Sequence, residues 1–177
     1  VSSSLRLSLT LLVSSERMEV DIPWRALSVV PRDTILKAKT FSSLSLQPEL
    51  LKNIESLGYA EMTPIQAQGL PPILLGKDVI GQAKTGSGKT AAFGLGILAG
   101  LDTRSLQVQA LVLCPTRELA DQVSKAIRQL ARMSPNVKIL TLCGGMPSRP
   151  QVKSLEHGAH VVVGTPGRVG KHLRTNK

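Results

Sequence analysis

Residues 83–90 read Ala-Lys-Thr-Gly-Ser-Gly-Lys-Thr, a run whose residue types suit the holding of phosphate. Gly86 and Gly88 admit backbone angles that a side chain forbids, so successive N–H groups can converge on phosphate oxygens. Lys89 brings a point charge for the β- and γ-phosphates of a nucleoside triphosphate such as ATP, and Thr90 a hydroxyl for the shell of a Mg²⁺ ion. These two are the candidate catalytic residues, with Thr90 the candidate metal ligand; Ala83, Lys84, Thr85 and Ser87 complete the cradle. The spacing fits G-x-x-x-x-G-K-[ST] except at its first position, where Ala83 stands for Gly. By itself this loop leaves kinases, transporters, GTPases and helicases open.

A phosphate loop is credible only between a strand and a helix. Four short apolar runs occur, at Val79 to Ala83, Ala110 to Cys114, Val137 to Cys143 and His160 to Gly164. Helical spacing separates them at Thr90 to Leu101, Arg117 to Met133 and Gln151 to Glu156. This alternation predicts an α/β fold of βαβ units, with a parallel sheet covered on both faces. In such sheets ligands bind beyond the carboxyl ends of the strands. Chemistry is therefore expected at Lys84 to Lys89, Pro115 to Glu118, Gly144-Gly145 and Thr165 to Arg168. Upstream, Gln47 to Gly58 spaces its apolar residues as a short amphipathic helix. Thr63 and Pro64 then form an N-cap and first position for a second helix, which Pro71-Pro72 is expected to bend or restart.

The 177 residues carry 22 Lys+Arg against 12 Asp+Glu, a net charge of +10 that favours a polyanionic partner or a phosphorylated ligand. A 42% hydrophobic and 19% charged composition supports one globular core and argues against wholesale disorder, collagen-like repetition or a disulfide scaffold. The aromatics are Trp24, Tyr59, Phe41 and Phe93, too few for a ladder of stacking rings along a single strand of nucleic acid. Cys114 and Cys143 each end an apolar run, the pattern of reduced, buried thiols. Residues 1–40 share no periodicity with the rest and are expected to be a disordered leader; 41–177 form the domain. Leu5 to Val13 makes a poor secretory signal, and no run approaches the roughly 18 apolar residues needed to cross a bilayer. The corresponding expectation is a soluble, cytoplasmic protein.

From Phe41 to about Arg174 the chain resembles the first RecA-like domain of DEAD-box RNA helicases, through several spaced motifs in order. Gly58 to Gln66 resembles the family's Q motif, with Phe41 upstream where that motif has an aromatic; Ala60 and Met62 depart from its usual residues. The resemblance implies that Gln66 reads the adenine edge and that Phe41 packs against the ring. Ala83 to Thr90 matches motif I at every specified position, Ala83 included. Pro115-Thr116-Arg117 resembles motif Ia, Gly144-Gly145 the GG motif, and Thr165-Pro166-Gly167-Arg168 motif Ib. In the family these line the RNA side and grip sugar and phosphate, which carries little sequence information.

Similarity to a bacterial branch of the family further implies ribosomal RNA as target and ribosome assembly as process. The family's Asp-Glu-Ala-Asp and Ser-Ala-Thr motifs do not occur in the 177 residues. After Thr90 the acids are Asp102, Glu118, Asp121 and Glu156, none placed after an apolar strand as a Mg²⁺-binding carboxylate must be. The sheet is thus expected to be incomplete at its C-terminal end and prone to aggregate. Hydrolysis and unwinding are expected to require those motifs and a second RecA-like domain. Two alternatives stay open at this point: a non-catalytic basic RNA-binding fragment, and a different P-loop NTPase.

Overall fold

The structure is a computed structural model that describes residues 40–175. The leader assigned to residues 1–40 lies outside them, Thr40 excepted. A 3-10 turn, Phe41–Ser43, precedes α1 (Pro48–Ser56), α2 (Pro64–Leu74) and α3 (Lys89–Ala99). Then follow β1 (Ala110–Leu113), α4 (Arg117–Leu130), β2 (Ile139–Leu142), α5 (Ser148–Glu156), β3 (Val161–Gly164) and α6 (Pro166–Thr175).

The sheet is parallel, in the order β1-β3-β2. β3 reads Val-Val-Val-Gly and is buried along its whole length, as a central strand of a parallel sheet must be. Gly164 aligns with Leu113 on one side and Leu142 on the other, so all three strands end at one level. Val112, Val161 and Val163 face the main core, packed with α3 and α4. Leu142 and Val162 face a smaller cluster closed by Val169 of α6 and Leu155 of α5.

α3 is buried nearly all round and carries Gly94 and Gly96 in its interior. Interior glycines cost a helix roughly 1 kcal/mol each, and here they allow close contact with its neighbours. A Cβ on Gly96 would run into Ile73 of α2, and one on Gly94 would lie 2.9 Å from Leu130 of α4. α1 closes the far end of α4. Asn53, fully buried, donates from Nδ2 to the carbonyls of Gln129 and Leu130 at 2.8 and 2.7 Å, two of the acceptors that a helix C-terminus leaves free. On β2, one of the two edge strands, Arg128 donates to the carbonyl of Ile139 at 3.0 Å and so occupies part of that open edge.

Two expectations are corrected. Val79 to Ala83 forms no strand: no described strand lies against it, and its backbone enters no ladder. A strand exists only through its partner's hydrogen bonds, so an apolar run alone leaves the segment extended and half exposed. The sheet carries helices on both faces, as expected, and on the second face they cover β2 and β3. Leu111 and Leu113, on that second face of β1, are 42% and 45% exposed. Finally, α2 runs through Pro71 and Pro72 without a restart and ends two residues later. The pair occupies its last turn, with Pro72 and Ile73 buried in the packing against α3. Both cysteines are buried and free, as expected. No helix among the described residues is long and apolar enough to cross a membrane.

Asn53→Ala is expected to leave the Gln129 and Leu130 carbonyls without a partner and to lower stability by about 1–3 kcal/mol. Urea unfolding followed by circular dichroism measures this; an unchanged midpoint would remove the capping role.

Candidate functional site

The phosphate loop is built from backbone geometry. Gly86 and Gly88 have φ of 78° and 91°, in the left-handed region that favours glycine, and Gly88 caps the N-terminus of α3. Lys89, first residue of α3, folds back so that Nζ donates to the carbonyl of Ala83 and to that of Lys84 at 2.6 Å. The ammonium group is thereby held at the mouth of the loop, beside the positive end of a helix dipole.

The loop is clamped from α2. The Thr63 hydroxyl donates to the carbonyl of Ser87 at 2.8 Å. Gln66, 4% exposed, accepts from the Thr63 N–H at 2.9 Å and donates from Nε2 to the carbonyl of Gly88 at 3.3 Å. The approach is so close that a Cβ on Gly88 would strike the Gln66 amide. The hydroxyl of Ser87 is buried and has no hydrogen-bond partner. A buried hydroxyl unpaired inside a glycine-rich loop is what a phosphate cradle leaves for its ligand, so the residues fit an anionic phosphate.

Phe41 is 4% exposed and stacks on Tyr59, ring centroids 6.3 Å apart, within the main core. Asp102 is exposed and paired with Arg104 at 3.1 Å, and Asp121 with Lys125 at 3.3 Å. Among the described residues no group of three or more His, Cys, Asp or Glu could hold a metal ion.

The second group of candidates lies at the C-terminal ends of β1, β2 and β3, where the shared register delivers three loops together. Thr116 caps α4, its hydroxyl accepting from the Leu119 N–H at 3.2 Å while its own hydrogen stays free to donate. Arg117 donates from Nη1 to the carbonyl of Gly144 at 3.2 Å. Gly145, with φ of 76°, lies under that guanidinium, and any side chain there would displace it. The carbonyl of Thr165 accepts from the N–H groups of Arg168 and Val169 at 3.1 and 3.0 Å, which starts α6 with Pro166 at its first position. Pro115, Pro166 and Gly167 are exposed beside them.

One participant belongs to no motif. Gln151 of α5 is 7% exposed; it donates to the carbonyl of Cys143 at 3.1 Å and accepts from Arg168 Nη1 at 3.0 Å. Its Oε1 also lies 3.1 Å from His172 Nε2, which must carry the proton to donate. Arg168 reaches on from Nη2 to the carbonyl of Met146 at 2.9 Å. The sequence signal for Gln151 was slight, a polar residue four positions before the inward-facing Leu155.

A glycine-turned phosphate cradle opening onto a buried helix, beside a parallel sheet with its polar loops at the strand ends, defines a P-loop α/β domain. Residues 63–177 match the family model described as DEAD/DEAH box helicase, and the chain belongs to that family. It is 62% identical over 135 residues to the ATP-dependent RNA helicase DbpA of Escherichia coli, a match covering 76% of this chain and 30% of that protein. It is 47% identical over 134 residues to the DEAD-box ATP-dependent RNA helicase CshA of Bacillus cereus, covering 76% of this chain and 25% of the relative. The chain therefore spans about a third or less of the length of these relatives. The crystal structure of a DEAD box protein from Methanococcus jannaschii superposes with a TM-score of 0.73 at 37% identity, over 77% of this chain and 37% of that one.

Burial, and then the charges of Arg168 and Lys171, hold the His172 imidazole below its ordinary pKa. Burial likewise pushes the Cys114 and Cys143 thiols up, which keeps them protonated and unreactive. The unfolded chain takes up a proton at His172 near pH 6.5 that the folded ring resists, so this contribution is complete above that pH and is lost as pH falls. Thermal midpoints between about pH 7.5 and about pH 5.5 should therefore fall less steeply for His172→Gln than for the unmodified chain. Parallel profiles would show that His172 makes no such contribution.

Proposed function

We propose that this chain is the ATP- and RNA-binding portion of an ATP-dependent DEAD-box RNA helicase. The observation that carries the reading is the phosphate loop: Gly86 and Gly88 in left-handed turns, with Lys89 folded over the loop at the start of a buried helix. On nucleotide binding Lys89 exchanges the carbonyls of Ala83 and Lys84 for β- and γ-phosphate oxygens, while the N–H groups of Thr85 to Gly88 converge on them. The Ser87 hydroxyl gains an acceptor. Thr90 would hold Mg²⁺ through its hydroxyl. Mg²⁺, when bound, neutralises charge on the transferring phosphoryl group. The Gln66 amide meets adenine by exchanging one of its two internal bonds for the base edge, with Phe41 as the aromatic neighbour of the base.

RNA lies along the loops at the strand ends. Thr116 and Thr165 supply hydroxyls; Gly144, Gly145 and Gly167 permit close backbone approach; Arg117 and Arg168 supply charge. Each guanidinium has five N–H groups, so those left free by the loop carbonyls can meet phosphate. Pro115 and Pro166 set the helix N-termini that add donors. Ribosomal RNA in ribosome assembly is the proposed target and process, as the family resemblance implies, and the 62% identity to an ATP-dependent RNA helicase supports an RNA substrate. A cytoplasmic site of action suits the two free, buried cysteines. Hydrolysis is assigned to this domain only together with the Asp-Glu-Ala-Asp motif and a second RecA-like domain, because phosphoryl transfer depends on the carboxylates and charges they bring.

Lys89→Ala should abolish binding of a fluorescent ATP analogue. Unchanged affinity would refute the nucleotide reading. Retention of single-stranded RNA should fall steeply as salt rises from about 50 to about 200 mM, the signature of phosphate contacts. A flat salt dependence would exclude the backbone grip.

A further inference from the structure

The two arginines expected on RNA do not stand free. Arg117 is bonded to Gly144 and Arg168 to Met146, so the segment from Gly144 to Met146 is held from both sides by the loops that follow β1 and β3. Arg168 could not hold its position alone, since its guanidinium reaches across from α6 to a different loop. Gln151 provides the fixed point. The side chain is nine-tenths buried and stands on α5, a third element, between the two loops it joins. Its amide nitrogen bonds the carbonyl of Cys143, the residue before Gly144-Gly145, and its amide oxygen takes Arg168 and His172 from the first two turns of α6. A single amide offers a donor and an acceptor at opposite ends, and each end is used on a different loop. No apolar residue can replace either bond, and neither a lysine nor a carboxylate can supply both.

We propose that Gln151 is a positioning residue that locks the Gly144-Gly145 loop and the Thr165–Arg168 turn into one rigid unit for gripping the RNA backbone. The inference rests on the RNA reading above and adds to it that two of the gripping loops work as one body. Gln151 touches no RNA; it acts through Arg168 and through the carbonyl that precedes Gly144. Held in this way, the loops meet phosphate without first having to be ordered, which is what preorganisation contributes to affinity.

The test uses the full chain and a short fluorescein-labelled oligouridylate. Gln151→Leu should weaken RNA binding by roughly tenfold, as expected where a buried bonded polar group is removed, with affinity for the fluorescent ATP analogue unchanged. Because Gln151 acts in part through Arg168, the double variant Gln151→Leu/Arg168→Leu should lose clearly less RNA affinity than the sum of the two single losses. Additive losses, or undiminished RNA binding by folded Gln151→Leu, would overturn the proposal while leaving the RNA reading intact. If the unmodified chain itself shows no salt-sensitive RNA binding, the RNA reading falls and this inference with it. Should Gln151→Leu not fold, Gln151→Glu keeps the acceptor for Arg168 but sets a carboxylate against the Cys143 carbonyl. It too should weaken RNA binding at unchanged ATP-analogue affinity, and full RNA affinity in folded Gln151→Glu would equally overturn the proposal.

Discussion

The pairing of β3 with both its neighbours sets everything at the strand ends. Val161 to Gly164 presents no polar side chain and is covered on both faces, so its backbone groups must be satisfied sideways, by β1 and β2. Both ladders place Gly164 beside the last residue of the neighbouring strand. The chain then leaves the sheet three times at one level, so that Arg117 after β1 bonds Gly144 after β2, and Arg168 after β3 bonds Met146, next to Gly145. A slip of one residue in either ladder would turn the valines of β3 against the wrong partners and stagger the loops. The burial that stabilises the core and the geometry of the loops are therefore one constraint.

Within these loops the cations share a common arrangement. Lys89 rests on the carbonyls of Ala83 and Lys84, Arg117 on that of Gly144, and Arg168 on that of Met146. Each carbonyl holds its cation in a defined place at the loop. In the proposed function a phosphate arriving at any of these sites would meet a charge already positioned, replacing or adding to a neutral acceptor. The excess of basic over acidic residues in the sequence is thus partly resolved into individual groups with defined partners.

What could be read from the sequence follows the range of the interactions concerned. Three of the four apolar runs became strands, and the helices after Pro48, Pro64, Lys89 and Arg117 begin where capping residues, prolines or the phosphate loop place them. Those signals are local. Val79 to Ala83 has the composition of a strand and lacks the neighbour that would make it one. The exposure of Leu111 and Leu113 depends on what lies over the sheet, which alternation in the sequence does not encode. Motif spacing located the loops, and their internal bonds stayed hidden because each joins elements far apart in the chain. Arg168 to Gln151, Arg168 to Met146 and Thr63 to Ser87 are all of this kind. Phe41 shows a related limit: its spacing in the sequence says nothing of its burial in the main core or its stacking on Tyr59.

Because Val79 to Ala83 has no ladder, the phosphate loop takes its shape from the helices. Thr63 and Gln66 at the start of α2 hold the carbonyls of Ser87 and Gly88, and α2 is itself fixed by Ile73 packing where Gly96 leaves room on α3. The glutamine that would meet a base is thus the same one that braces the turn that would meet the phosphates. Its two amide ends are both engaged inside the protein, on the Thr63 N–H and on the Gly88 carbonyl. An amide that turned to an adenine edge would give up one of these bonds and release either the start of α2 or the Gly88 turn. In the proposed function, base and phosphate recognition would for that reason be linked through Gln66, over two hydrogen bonds, with no need of the sheet to carry the coupling.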